Sequence, residues 1–182
     1  MNVVTSSRTP DWSPFSLAAP GERAEPIRGI ITHEGIADRL RTAAFAELQA
    51  REAFRWAAHA LDDAPPSLKL AWLGLAAAED LHLGWLLKRM KELNIDVAAR
   101  KVSDYLWLSL RSSQTAREFA LFMASAEDRG RQAGERFHQA MISMDPISAE
   151  LFGKIAAEEV EHIRLAQRYF PGEKVLPPPH AR

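Results

Sequence analysis

Glu79-Asp80-Leu81-His82 and Glu159-Val160-Glu161-His162 are two copies of Glu-x-x-His, 80 residues apart in a chain of 182. Two further glutamates, Glu47 and Glu127, lie the same 80 residues apart, and each precedes its own Glu-x-x-His by 32. One Glu from each of two helices, with a Glu/His pair from each of two others, is how a four-helix bundle holds two metal ions in its core. A single Glu-x-x-His on a helix is usually surface decoration. Two copies in one translational repeat, each with its partner Glu, are hard to obtain by accident. The repeat extends further: Ala46-Glu47 matches Ala126-Glu127, Arg51 matches Arg131, Pro66 matches Pro146, and Ala76-Ala77 matches Ala156-Ala157. The chain reads as two copies of one helical hairpin.

Periodicity and capping residues predict four long helices. The first runs from an N-cap at Thr32 to about Asp62. The second starts after Pro65-Pro66-Ser67 and ends near Asn94. The third opens with the capping box Thr115-Ala116-Arg117-Glu118 and runs to about Ser143. The fourth opens with Asp145-Pro146, an N-cap followed by proline at the first helical position, and ends at Phe170 before Pro171-Gly172. The first two helices are joined by a short connection, as are the last two, so each pair reads as an antiparallel hairpin. The middle connection is roughly 20 residues and holds a short apolar helix, Asp104 to Leu110, capped by Ser103. The expected fold is therefore all-α: two helical hairpins joined by a long crossover that contains a short helix. Residues 1–31, with Pro10, Pro14, Pro20 and Pro26, read as an irregular arm on the outside of the domain, 32–170 as the bundle, and 171–182 as a proline-rich tail.

Helix phase decides where the repeated residues point. Core positions recur at spacings of three and four. The seams read Leu40, Ala43, Glu47, Ala50, Phe54; Trp72, Leu75, Glu79, His82, Leu86; Ala120, Met123, Glu127, Gly130, Gly134, Phe137; and Phe152, Ile155, Glu159, His162, Ala166. All six polar residues sit on otherwise apolar stripes, and no Lys or Arg shares these stripes near the glutamates. Four buried carboxylates without compensation are very costly. Two divalent cations would balance them, with both imidazoles neutral. Carboxylate oxygen with imidazole suits iron or manganese; copper(I) and calcium fit poorly. Residues i and i+3 share a helical face, so each Glu and its His can meet one ion. Glu79 and Glu159 are expected to bridge two ions, Glu47 and Glu127 to be terminal ligands, and His82 and His162 to bind one ion each. Glu158, four before His162, is the nearest competitor; Ala78 at the equivalent position of the first hairpin favours Glu159. Glu52, Glu135 and Glu161 lie off the seams and read as solvated. His59 and His138 fall at helix ends, and Trp56, Trp72, Trp85 and Trp107 read as core.

Composition excludes several classes. A chain of 182 residues with 47% apolar and 26% charged residues is long enough for one soluble domain with one core. The absence of cysteine removes disulfides, thiolate zinc, iron–sulfur clusters and a rubredoxin-type iron. Met1 to Pro26 has neither the basic nor the apolar region of a signal peptide, and no apolar run approaches the ~20 residues of a membrane span. A cytoplasmic protein is expected. Net charge is −1, but burying the four glutamates leaves 20 acids against 23 Lys and Arg at the surface. Lys88, Arg89, Lys91, Arg100 and Lys101 form a basic cluster that either meets phosphates or complements a helix end.

The set Glu47, Glu79/His82, Glu127 and Glu159/His162 resembles the ligands of the ferritin-like di-iron carboxylate superfamily over roughly Thr32 to Phe170. Ala46-Glu47-Leu48-Gln49 and the stretch from Ala156 to Phe170 look like an uncharacterised bacterial ferritin-like family of unknown function. The stretch from Glu79 through Arg111, and Glu127-Asp128-Arg129 with Glu135-Arg136-Phe137, are similar to the tRNA hydroxylase acting on 2-methylthio-isopentenyladenosine. The superfamily implies a ferritin-like four-helix bundle and two iron ions as cofactor, with the six residues acting through them; manganese accepts the same set. The tRNA hydroxylase implies O2 and hydroxylation of an isopentenyl group. Ferritin cages often carry a fifth helix, which a proline-rich tail cannot supply, and rubrerythrins need a cysteine-bound iron.

The leading expectation is an O2-activating di-iron oxidoreductase of hydroxylase or oxidase type. Its partners would be O2, an external electron donor and a small-molecule or tRNA substrate, with no membrane. The alternatives are a ferroxidase or iron-handling protein, a di-manganese oxidase or catalase, and a bundle with purely structural metals. Gly130 and Gly134 stand where the first hairpin has Ala50 and Phe54. They either open a substrate pocket beside the metals or let helices pack closely.

Overall fold

The computed structural model describes residues 9–22 and 24–173. The protein is all-helical over these residues, with no strand; one isolated bridge pairs Leu17 with Val102. The expected proline triplet Pro177-Pro178-Pro179 lies outside the described residues. The elements are α1 (His33–Ala60), α2 (Pro66–Glu92), a 3-10 turn (Val97–Ala99), α3 (Tyr105–Arg111), α4 (Ala116–Met141) and α5 (Pro146–Tyr169). No helix among the described residues is long and apolar enough to cross a membrane.

The ends follow from local chemistry. Thr32 caps α1 by accepting the Gly35 N–H at 2.9 Å, an interaction generally worth about 1 kcal/mol. Pro66 starts α2 because its missing N–H would have no helical partner there. Asn94, at φ 54°, ends it; the Ile95 N–H reaches the Met90 carbonyl at 2.9 Å and the Asn94 N–H that of Lys91 at 3.0 Å, a Schellman closure. Thr115 caps α4 through the Glu118 N–H at 3.1 Å. The return bond of that box shifts by one residue: Glu118 accepts from the Gln114 N–H. Asp145 caps α5 through the Ser148 N–H. At α3 the cap position is Asp104, not Ser103, although the Ser103 hydroxyl accepts the Tyr105 N–H at 3.3 Å.

α1 packs mainly on α2, and α4 on α5, giving two hairpins; α1 meets α4 and α2 meets α5 less extensively. Asp63, just past α1, accepts the Ala116 N–H that opens α4. At the other end Arg39 of α1 lies over the Phe137 ring of α4. The two helices therefore run antiparallel. The crossover starts beside the head of α1, where Arg41 donates to the Asp96 and Val97 carbonyls. It climbs past Gln49, which accepts the Trp107 N–H at 3.0 Å, and reaches the far end of α1.

The arm wraps the outside of the helices and anchors two rings inside. Trp12 and Phe15 are buried against Phe45, and Trp12 also against Trp107. Buried Asp38 ties arm and crossover to α1, since Arg28, Arg41 and Arg100 all converge on its carboxylate.

Candidate metal centre

Four helices bring the six repeated residues together at mid-length. α1 supplies Glu47, α2 Glu79 and His82, α4 Glu127, and α5 Glu159 and His162. Five are buried; Glu47 is the least covered, its side chain 13% exposed. Each histidine turns Nδ1 toward the opposite hairpin. His82 Nδ1 is 3.2 Å from Glu159 and 3.6 Å from Glu79; His162 Nδ1 is 2.8 Å from Glu79 and 3.0 Å from Glu159. The imidazole planes are within 19° of parallel, with centroids 5.9 Å apart. Neither hairpin completes the cluster alone.

The ligand atoms fall into two overlapping groups, each within 4.8 Å of one another: Glu47, Glu79, His82, Glu159, and Glu79, Glu127, Glu159, His162. Glu79 and Glu159 belong to both. Buried polar atoms without hydrogen-bond partners concentrate here. Both oxygens of Glu79 and of Glu159, one oxygen of Glu127, and Nδ1 of His82 and His162 have none. Buried polar groups are normally satisfied. Seven such atoms converging on one point fit a pair of cations, and the donor set of four carboxylates and two imidazoles is compatible with metal binding.

Without cations, protons balance the cage. Burial pushes Glu47 up, reinforced by Glu79, and it stands well above the usual carboxyl range. Burial likewise raises Glu127, helped by the charges of Glu159 and Glu79. For Glu79 burial is outweighed by the close approach of Glu47, His162 and His82, and the group is lowered. Glu159 is lowered by His162 and His82 against the same burial. Burial disfavours the His162 cation, yet Glu159 and Glu79 raise its pKa to about 10. His82 is also raised against burial, by Glu159, Glu47 and Glu79. Burial thus favours protons on Glu47 and Glu127, while Glu79 and Glu159 favour the charged imidazoles.

Glu158, the competitor set aside on phase, takes a different place. Its carboxylate lies 2.9 Å from His82 Nε2, on the side of the ring away from the cluster. A carboxylate on the outer nitrogen fixes the ring and frees the other nitrogen for a metal. His162 has no counterpart, because Ala78 stands at the equivalent position. Trp85 packs on the His82 ring at 5.3 Å, which makes it more than a general core residue. His138 holds the Ala149 carbonyl at 2.8 Å, away from the cluster, and His59 is exposed.

A cavity of about 310 Å³ opens between α1 and α4 and ends on Glu47, Glu127 and Glu159. Its walls are largely small or apolar: Ala43, Ala46, Ala50, Met123, Gly130, Phe137. The two glycines divide the two expectations between them. A Cβ on Gly130 would meet nothing within 4 Å, so this glycine leaves space in the cavity wall. A Cβ on Gly134 would lie 3.2 Å from Ala156 Cβ and from the Phe152 carbonyl, so this one lets α4 approach α5. Arg39 also lines the cavity, at its upper end. Sequence reasoning missed it, because eight residues separate it from Glu47 and the stripe between them is alanine.

The basic cluster is partly consumed inside the molecule. Arg89 binds Asp145, Ser148 and Glu92; Arg100 binds Asp38 and Glu25; Lys101 binds Glu22.

Residues 7–174 match the family described as Protein of unknown function (DUF455), and the chain belongs to that family. No curated protein and no solved structure matches it.

Proposed function

We propose that this family member is an O2-dependent oxidoreductase that holds two iron ions in a ferritin-like four-helix bundle and oxidises an organic substrate. Glu79 and Glu159 would be shared by both ions, Glu47 and His82 would complete one site, and Glu127 and His162 the other. Such a pair, when bound, would supply the redox chemistry that activates O2. With two electrons and two protons from an external donor, one oxygen atom enters a C–H bond of the substrate and the other leaves as water.

The observation that carries this reading is the cavity. It reaches three of the six ligand residues and is walled by alanine, methionine and phenylalanine. An iron ion passing through would want carboxylates along its path; an apolar organic group wants these walls. The surrounding residues hold substrate close to the glutamates and keep bulk water away from them. Glu158 positions His82, and the lengthwise crossover closes the bundle above Gln49.

One observation favours the ferroxidase alternative: Glu47, the least buried ligand, lines the cavity and offers an entering ion a first carboxylate. Isotope labelling separates the readings. Protein loaded anaerobically with Fe(II) is given a reductant, a small-molecule extract and 18O2. Substrate oxidation predicts a labelled organic product that Glu79→Ala abolishes. Iron oxidation at the same rate with no labelled product in any extract, tRNA digests included, would establish the ferroxidase instead.

A further inference from the structure

The cavity has a charged end. Arg39 lies eight residues before Glu47 on α1, which places it about 12 Å along the helix axis. Its Nη1 donates to the carbonyls of Arg28 at 2.7 Å and Gly35 at 2.8 Å, which holds the side chain in place. The guanidinium carbon sits 5.4 Å from the centroid of Phe137, another wall residue. Its Nε is buried and has no acceptor among the described residues. The neighbouring Asp38 is already engaged by Arg28, Arg41 and Arg100. Among the described residues no carboxylate forms an ion pair with Arg39.

A guanidinium cannot shed its proton in a protein. Arg39 is half-buried and has no ion-pair partner among the described residues, whereas Arg28, Arg41 and Arg100 of the same region are paired with Asp38. Nε and Nη2 form the edge that a carboxylate or phosphate accepts side by side. That edge has no acceptor among the described residues. Between it and the glutamates the α1 wall is Thr42, Ala43 and Ala46, and Leu106 and Gly130 also line the cavity.

We propose that Arg39 is the head-group site of this cavity, and that its ligand is a small amphipathic anion. A carboxylate or phosphate monoester sits at Arg39 and an apolar body runs along α1 and α4 toward Glu47 and Glu127. This assignment rests on the reading of the centre as substrate-oxidising. It adds which end of the substrate is oxidised: the apolar end, about two helical turns from the head group.

Decanoate, decyl phosphate and decanol share one chain and differ in the head. Calorimetric titration of each into the full-length protein reads binding without turnover. The expected result is binding of one anion at least tenfold tighter than decanol; the preferred anion identifies the head-group chemistry. Arg39→Met removes that preference and leaves decanol unchanged. Arg39→Lys keeps the charge but not the parallel donors, and lowers the preference without deleting a cation; it carries the test if the methionine variant fails to fold. An anion preference unaltered in the folded variants, or no preference in the wild type, overturns the assignment. An Arg39-dependent preference in a protein that labels no product with 18O2 sinks the oxidase reading and leaves the head-group site standing. Labelled product together with Arg39-independent binding does the reverse.

Discussion

Glu158 and Ala78 break the symmetry of an otherwise repeated cluster. His82 has a carboxylate on its outer nitrogen at 2.9 Å, and the equivalent position beside His162 carries a methyl group. Outer partners of metal-bound histidines are typically worth roughly 10–100-fold in affinity. Glu158→Ala should therefore weaken one ion of the pair by about that factor and spare the other, seen as a split in a competitive chelator titration. Equal weakening of both ions, or of neither, would refute the positioning role. The protonation of the cage gives a second prediction. His162 is raised to about 10 by Glu159 and Glu79, and burial raises Glu47 and Glu127. Metal can bind only as these protons leave, so loading divalent ions should release protons, and affinity should climb as pH rises toward 10. The stability sign is set by the same groups. In metal-free protein the raised imidazole stabilises the fold below its unfolded value, and that contribution is lost as pH rises through about 10. The raised carboxyls oppose folding above their ordinary range. Proton release in a weakly buffered titration, read with a pH indicator, checks the exchange; none would mean that the residues are already deprotonated.

At the scale of elements, the two glycines of α4 make opposite predictions from one helix. Gly130→Leu meets open space and removes a helix-weakening glycine, so it should hold or raise the melting temperature while obstructing the cavity. Gly134→Leu drives a side chain into Ala156 and the Phe152 carbonyl and should cost about 1–3 kcal/mol by parting α4 from α5. Thermal melts with metal content read alongside distinguish them; destabilisation by Gly130→Leu would argue against the cavity. Much of this level is legible in the sequence, because cap residues and seam periodicity act locally. Thr32, Asp145-Pro146 and the Glu-x-x-His phases each announce themselves within a turn or two. The same local logic sets Glu158 aside, since its role depends on which residue of another hairpin it meets. Arg39 is hidden for a similar reason: its lack of a counter-charge follows from Asp38 being claimed by an arm and a crossover distant in sequence. Gly130 and Gly134 read alike until the neighbouring helix is in place.

For the whole molecule, the arm and crossover make the two hairpins one unit. Asp38 is lowered to about 2, chiefly by its hydrogen bonds to Arg28, with Arg100 adding to the effect. Its stabilisation is present above the ordinary aspartate range and lost as pH falls through about 2. Asp38→Asn would leave buried Arg41 without its carboxylate, a change that typically costs about 3–5 kcal/mol. Melting should drop accordingly, and Trp12 emission should shift first if the arm releases before the helices. Unchanged melting would show that the arginines find other acceptors. Whether the two hairpins meet to hold two metal ions is read from metal per chain by plasma mass spectrometry after anaerobic Fe(II) loading, beside a Glu79→Ala/Glu159→Ala double variant. Wild-type protein should hold about two irons per chain, one for each overlapping ligand group, and the variant should lose both, since Glu79 and Glu159 belong to both groups. Substoichiometric iron in the wild type, or iron retained by the folded variant, would contradict a two-metal centre between the hairpins.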